Sequence, residues 1–139
     1  MRCLLCVACA AVVFMGGCVR IHPTMRLAVE HVERFNARDI EGIASGVTED
    51  VGWYVVDGDE ITPMSVGRDA LVEGLGSYFE SLPSVRAEVD HVHGDGSFAV
   101  VRERVVWEGS DGEERSQSSY SVYRFRDGLI ESVWYFEAE

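Results

Sequence analysis

Residues 85–136 read VRAEVDHVHGDGSFAVVRERVVWEGSDGEERSQSSYSVYRFRDGLIESVWYF. Three turn signals, Gly94-Asp95-Gly96, Ser110-Asp111-Gly112 and Asp127-Gly128, cut this stretch into runs near 85–93, 98–107, 115–125 and 129–136. Each run is rich in valine and aromatic residues that alternate with polar ones, the period-two pattern of a strand with one buried face. Loops of Asp and Gly supply the left-handed backbone that a tight hairpin needs, so the four runs predict antiparallel hairpins.

Upstream the period changes. Ala28, Val32 and Phe35 recur at helical spacing, flanked by Met25 and Leu27, with Thr24 ahead of them as N-cap. That helix is expected to end near Asn36. Asp39 caps a second, short helix bearing Ile40, Ile43, Ala44 and Val47. A strand over 51–56 follows, then a turn at Asp57-Gly58-Asp59 and a loop containing Pro63. Gly67-Arg68-Asp69 leads into a third helix marked by Leu71, Leu75, Tyr78, Phe79 and Leu82, and Pro83 stops it. Helices first and hairpin-linked strands after give an α+β class, a curved antiparallel sheet wrapped around three helices from the amino-terminal half.

Residues 3–15 form an unbroken apolar run behind Met1 and Arg2, followed by Gly16-Gly17-Cys18. This is the layout of a short secretory signal, and it is too short to span a bilayer as a lasting helix. Two small residues ahead of a cysteine resemble the lipobox of bacterial lipoproteins. That resemblance implies removal of residues 1–17, acylation of Cys18, a tether over 18–23 and a domain over 24–139. Ordinary cleavage nearby, or a true start at Met15 or Met25, are the alternatives. All four cysteines (Cys3, Cys6, Cys9, Cys18) lie in or beside this segment, which excludes disulfides and cysteine metal sites from the domain.

From Cys18 onward 122 residues remain, enough for one core. The chain has 24 acidic residues against 12 arginines and no lysine, for a net charge of −12 that becomes −13 once Arg2 is removed. This balance argues against a nucleic-acid partner. It also makes an anionic membrane repel the body, leaving covalent lipid as the means of attachment. The expected location is the cell envelope, on the cell membrane or outer membrane, facing the periplasm or exterior.

Several local phrases, in order, resemble the SnoaL-like branch of the nuclear transport factor two-like superfamily, which includes ketosteroid isomerases and polyketide cyclases. They are Phe35-Asn36-Ala37-Arg38-Asp39-Ile40-Glu41-Gly42-Ile43, Val66-Gly67-Arg68-Asp69-Ala70-Leu71 and Arg126-Asp127-Gly128-Leu129-Ile130-Glu131. The resemblance implies a cone-shaped fold around an apolar cavity and frequent dimerisation through the sheet. It implies no single reaction, because function in such folds resides in the groups inside the cavity.

Counted from Asn36-Ala37, the isomerase tyrosine position falls on His31 and the aspartate position on Val55, so steroid-type isomerisation is not expected. Asp57, two residues on, shares a strand face with Val55 and Trp53, and His31 lies within the first helix's apolar arc. A carboxylate and an imidazole in an apolar cone could exchange a proton with a ligand. The plainer alternative makes Asp57 a turn residue and His31 a satisfied core histidine. His91 and His93 point the same way beside Asp95 but lack further ligands at useful spacing, so no metal is expected. Glu103 sits between Arg102 and Arg104 on the second long strand. Facing inward it would be a costly buried carboxylate suited to a polar ligand group, and facing outward a partner for an arginine such as Arg124.

The aromatic residues Trp53, Trp107, Tyr120, Tyr123, Trp134, Tyr135 and Phe136 are more than one packed face needs, so some of them are expected to line a pocket or a dimer surface, with Trp53, Trp107, Tyr120 and Trp134 beside Glu103 as the candidate ligand-lining set. The alternative is plain core and sheet-surface packing. No nucleophile motif, phosphate-cradling loop or dinucleotide fingerprint is present, so no cofactor is expected. The resulting expectation is an exported, lipid-anchored domain that binds a small apolar molecule or a protein partner. The runners-up are a proton-transfer or hydrolytic enzyme using His31 and Asp57, with Glu103 in reserve, and a structural homodimer joined through aromatic sheet faces.

Overall fold

The computed structural model describes residues 21–138, so the apolar leader and Cys18 lie outside the described residues. The elements run α1 (Pro23–Asn36), α2 (Ile40–Ser45), β1 (Val47–Asp57), β2 (Glu60–Val66), α3 (Arg68–Ser81), β3 (Arg86–Asp95), β4 (Phe98–Glu108), β5 (Glu114–Arg126) and β6 (Leu129–Ala138).

Helix α1 begins two residues earlier than its sequence suggests. Pro23 takes the first helical position, where its missing N–H costs nothing, and His22 becomes the N-cap, its Nδ1 accepting from the Thr24 N–H at 3.4 Å. Thr24 instead donates its hydroxyl to the Phe98 carbonyl at 3.1 Å, pinning the start of α1 to the β3–β4 hairpin. Gly94 permits this seat, since a Cβ there would lie 2.6 Å from the Met25 Cγ and 2.7 Å from the Thr24 Oγ1. Helix α2 starts as expected, with the Asp39 carboxylate accepting from the Gly42 N–H at 2.8 Å.

Arg38 between these helices has φ 59° and uses its guanidinium as a clasp. It donates to the carbonyls of Phe35 (3.2 Å), Pro83 (3.0 Å) and Val85 (2.5 Å) and stacks 4.3 Å above the Phe79 ring. Asn36 adds a two-bond bracket to Ala87, accepting from its N–H and donating to its carbonyl, each at 2.8 Å. The first phrase of the family resemblance thus joins both helices to the entry of β3.

The six strands form one sheet in the order β2-β1-β6-β5-β4-β3. The hairpins are antiparallel as expected, and at the last of them Asp127 and Gly128 both have positive φ, 53° and 79°, the geometry of a type I′ turn. Two features depart from the expected layout. The segment with Pro63 is strand β2 rather than a loop, because an edge strand tolerates a residue without an N–H, and its near-uniform exposure hides the alternation. In addition, β1 and β6 are parallel, so the sheet is mixed, and α3 carries the chain from one edge of it to the other.

The helices cover the concave side. α1 lies over β3 and β4, and α3 lies over β1 and β2. Between them and the sheet sits one core of Ala28, Ile43, Val47, Val51, Trp53, Leu71, Ala99, Val101, Tyr123, Phe125, Ile130 and Val133. Among the described residues the convex side carries no helix. Register places Val100, Val122, Trp134, Tyr54 and Pro63 in one row across five strands, and Tyr120, Phe136, Val56 and Ile61 in the next.

Candidate functional site

Alternation along β4 turns Ala99, Val101 and Glu103 inward and leaves Arg102 and Arg104 outside, where they pair with Asp90 at 3.3 Å and with Glu88. The open question at Glu103 is thereby settled. Its side chain is 3% exposed and faces the concave interior, with the Ser121 hydroxyl donating to its Oε1 and no cation beside it among the described residues. Burial pushes the carboxyl up from its ordinary range, and the Ser121 hydrogen bond opposes this only in part.

Tyr123 on β5 is the neighbour on which the interior groups converge. It is wholly buried, and its hydroxyl has no hydrogen-bond partner of good geometry among the described residues, although Tyr135 is near enough to affect its ionisation. Burial holds the Tyr123 phenol well above its ordinary range, with the Glu103 carboxylate adding to the effect. Tyr135 on β6 is raised for the same two reasons. His31 reaches this group from α1, its ring 5.2 Å from Trp53 and 5.9 Å from Tyr123. Desolvation, then the Arg34 charge, lowers His31 to about 4, so the imidazole is neutral at physiological pH.

The interior therefore holds His31, Trp53, Glu103, Ser121, Tyr123 and Tyr135. His31, Trp53 and Glu103 are among the expected site residues, Tyr123 and Tyr135 among the aromatics expected to line a pocket or a dimer surface, and Ser121 was not anticipated. Ser121 and Tyr123 share the strand period of Glu103 across the β4–β5 ladder, and that was the available signal.

The other expected site residues lie elsewhere. Asp57 is exposed at the end of β1, so it does not join His31 as a proton-transfer pair. It lies on the face of Trp53, as alternation requires, but at the exposed last position of the strand. Tyr120 and Trp134 are on the convex face. Trp134 stacks on Tyr54 with ring centroids 6.0 Å apart and planes 18° apart, over the space that Gly52 leaves open, and Tyr120 is 46% exposed beside the Arg102 guanidinium. Trp107 is half-buried near the end of β4. A bulge at Asp90 turns His91 and His93 to the exposed outer side, and no group of three or more His, Cys, Asp or Glu able to hold a metal occurs among the described residues. No described helix is long and apolar enough to cross a membrane.

Two hollows, of about 490 and 390 Å³, lie outside the cone: one between α1 and Val92, the other at the tips of the β3–β4 and β5–β6 hairpins. Neither opens into the concave interior, where Trp53, Tyr123, Tyr135 and Phe125 pack their rings against one another.

A bent six-stranded sheet around three helices, with polar groups on its concave face, is the cone architecture called nuclear transport factor two-like. Solved structures similar to it include a protein of unknown function of that class from Burkholderia pseudomallei, with a TM-score of 0.71 and 20% identity over 85% of this chain and 92% of that one. IdmH, a proposed polyketide cyclase from Streptomyces antibioticus, has a TM-score of 0.71 and 18% identity over 84% and 92%. A proposed ketosteroid isomerase from Kribbella flavida has a TM-score of 0.67 and 22% identity over 84% and 78%. No curated protein is similar enough to match. Within that architecture the SnoaL-like domain model matches residues 28–133, and the chain belongs to that family.

Proposed function

We propose that the domain binds a small, largely apolar, ring-bearing molecule in the cone and recognises an oxygen atom of it through Glu103 and Tyr123. The observation that supports this is Glu103 itself, a carboxyl buried on an apolar strand face with one serine hydroxyl and no cation. As a structural element it is a cost, and groups retained at a cost inside a fold are candidates for binding or proton transfer. The neutral form of the carboxyl, which burial favours, and the Tyr123 phenol are both donors, suited to a carbonyl or phenolic oxygen held between them. Entry requires the interior rings to part. The similarity to a proposed cyclase and a proposed isomerase fits a ligand-binding or enzymatic domain. Any proton transfer in this reading belongs to Glu103, while His31 packs as a neutral ring against Trp53 and Tyr123.

The test is titration of the purified protein with 2-naphthol, read by naphthol emission and by melting temperature. Saturable binding is expected, weakened about tenfold by Glu103→Leu and by Tyr123→Phe, the loss of one good hydrogen bond each. If neither 2-naphthol nor a panel of phenols, quinones and cyclic ketones moves the melting temperature, the small-molecule reading is abandoned.

The apolar run over 3–15 and the Gly16-Gly17-Cys18 that follows support export and anchoring through lipid on Cys18. Intact mass of membrane-extracted protein is expected to exceed that of the residues from Cys18 onward by a lipid increment absent from Cys18→Ala. The uncovered aromatic rows of the convex face support a second reading, self-association through the sheet.

A further inference from the structure

We infer that the end of the cone carrying Ile21, Pro23, Met25 and Phe98 is a membrane-contacting face that rests on the phospholipid surface beside the anchor. The inference relies on acylation of Cys18 as proposed above, and it concerns which side of the domain meets the bilayer.

Its basis is the fixed point at which the chain enters the fold. The Thr24 hydroxyl donates to the Phe98 carbonyl at 3.1 Å and His22 Nδ1 lies 2.7 Å from that hydroxyl, so the chain directly after Ile21 is fixed to the β3–β4 hairpin. Three peptide steps separate Ile21 from Cys18, a span of at most about 11 Å. Lipid on Cys18 therefore draws this end of the domain to within a headgroup layer of the hydrocarbon.

The surface at this end combines exposed apolar side chains with charge, since Phe98 adjoins Arg124, Arg126, Asp127 and Glu131, where the arginines pair with Glu131. Ile21 is 66% exposed and Phe98 46%. Pro23, Met25, Val29 and Val92 line the adjoining hollow of about 490 Å³, and Arg26, Glu30 and Glu33 rim it, the first two paired at 3.5 Å. Apolar side chains beside a charged rim suit shallow insertion at the boundary between headgroups and acyl chains. The excess of acid over base makes a zwitterionic surface the better fit. The opposite end, with the Asp57-Gly58-Asp59 turn and the Ser110–Glu113 turn, is exposed and largely acidic.

The chain makes the test clean, because no cysteine occurs after Cys18. Ile21→Cys, Phe98→Cys and, at the far end, Asp59→Cys are each labelled with bimane in the lipidated full-length protein. The protein is then reconstituted into phosphatidylcholine vesicles with or without nitroxide-bearing lipid. Insertion by roughly 5–10 Å predicts quenching of the Ile21 and Phe98 labels by about twofold or more and their protection from iodide, with the Asp59 label unaffected by nitroxide and open to iodide. Labels at Ile21 and Phe98 as open to iodide as the one at Asp59 overturn the inference, and so does protection from iodide without nitroxide quenching, which means a protein covers the face. Intact mass separates the two levels. Lipidated protein with exposed labels refutes the face alone, whereas unmodified mass removes the anchor and this inference with it.

Discussion

Replacing Glu103 by Gln is expected to stabilise the protein at neutral pH, an unusual result for a buried polar residue. The amide keeps the acceptor for the Ser121 hydroxyl and discards the charge. The magnitude has a ceiling. A carboxyl of ordinary value 4.5 that is forced to ionise in the interior can always escape by taking up a proton, at about 1.36 kcal/mol per pH unit, so at pH 7 it costs no more than about 3.4 kcal/mol. Burial raises the folded value, so the carboxyl's favourable contribution is complete below 4.5 and is lost as pH rises through the raised value.

The gain from Glu103→Gln should therefore be near zero at pH 4 and grow with pH, staying below that ceiling of about 3.4 kcal/mol at pH 7. For a domain of this size that raises the melting temperature by roughly 3–5 °C per kcal/mol. Urea unfolding of both proteins from pH 4 to pH 8 measures the difference. A variant less stable than the parent at pH 7, or a gap that does not change with pH, would refute the description of Glu103 as an uncompensated buried carboxyl, and with it the main support for the binding site.

His31 predicts the opposite trend. Its folded value of about 4 against 6.5 unfolded means the unfolded ring takes up a proton first, so stability falls as pH drops from 6.5 toward 4, by up to about 3.4 kcal/mol. His31→Leu in the Glu103→Gln background should flatten that decline in urea titrations, and an unchanged decline would place its origin elsewhere. Arg38→Ala strips the donors from three carbonyls and should cost about 2–4 kcal/mol by chemical denaturation, with Arg38→Lys recovering less than half because an ammonium cannot reproduce the fork. On the convex face, the double change Tyr120→Glu with Phe136→Glu should weaken any self-association at least about tenfold without lowering the melting temperature. A parent protein that sediments as a monomer at tens of micromolar sinks the dimer.

The helices and hairpins were legible because their punctuation is local: Asp39, Gly67 and Pro83 bound helices, and Asp127-Gly128 bends the chain whatever lies beyond. Strand β2 was not, since Pro63 and a run exposed on both faces imitate a loop. The parallel pairing of β1 with β6 leaves no mark within either segment. The site was half legible for a related reason. Period two tells which side chains share a face but not which face becomes concave, so Glu103 and Trp53 fell inside while Tyr120 and Trp134, equally aromatic and equally periodic, fell outside. Asp57 had the right phase but stands at the last position of β1, where the side chains of that face are exposed.

The pairing of the first strand with the last also sets an order of assembly. Residues 52–56 of β1 bind the sheet only through 132–136 of β6 on that side, so the β1–β2 arm stays unattached to the larger hairpin array until nearly the whole chain has emerged from the ribosome. A polypeptide built this way delays closing its core until synthesis is almost finished, an interval in which it is still loose enough to be threaded through a narrow pore.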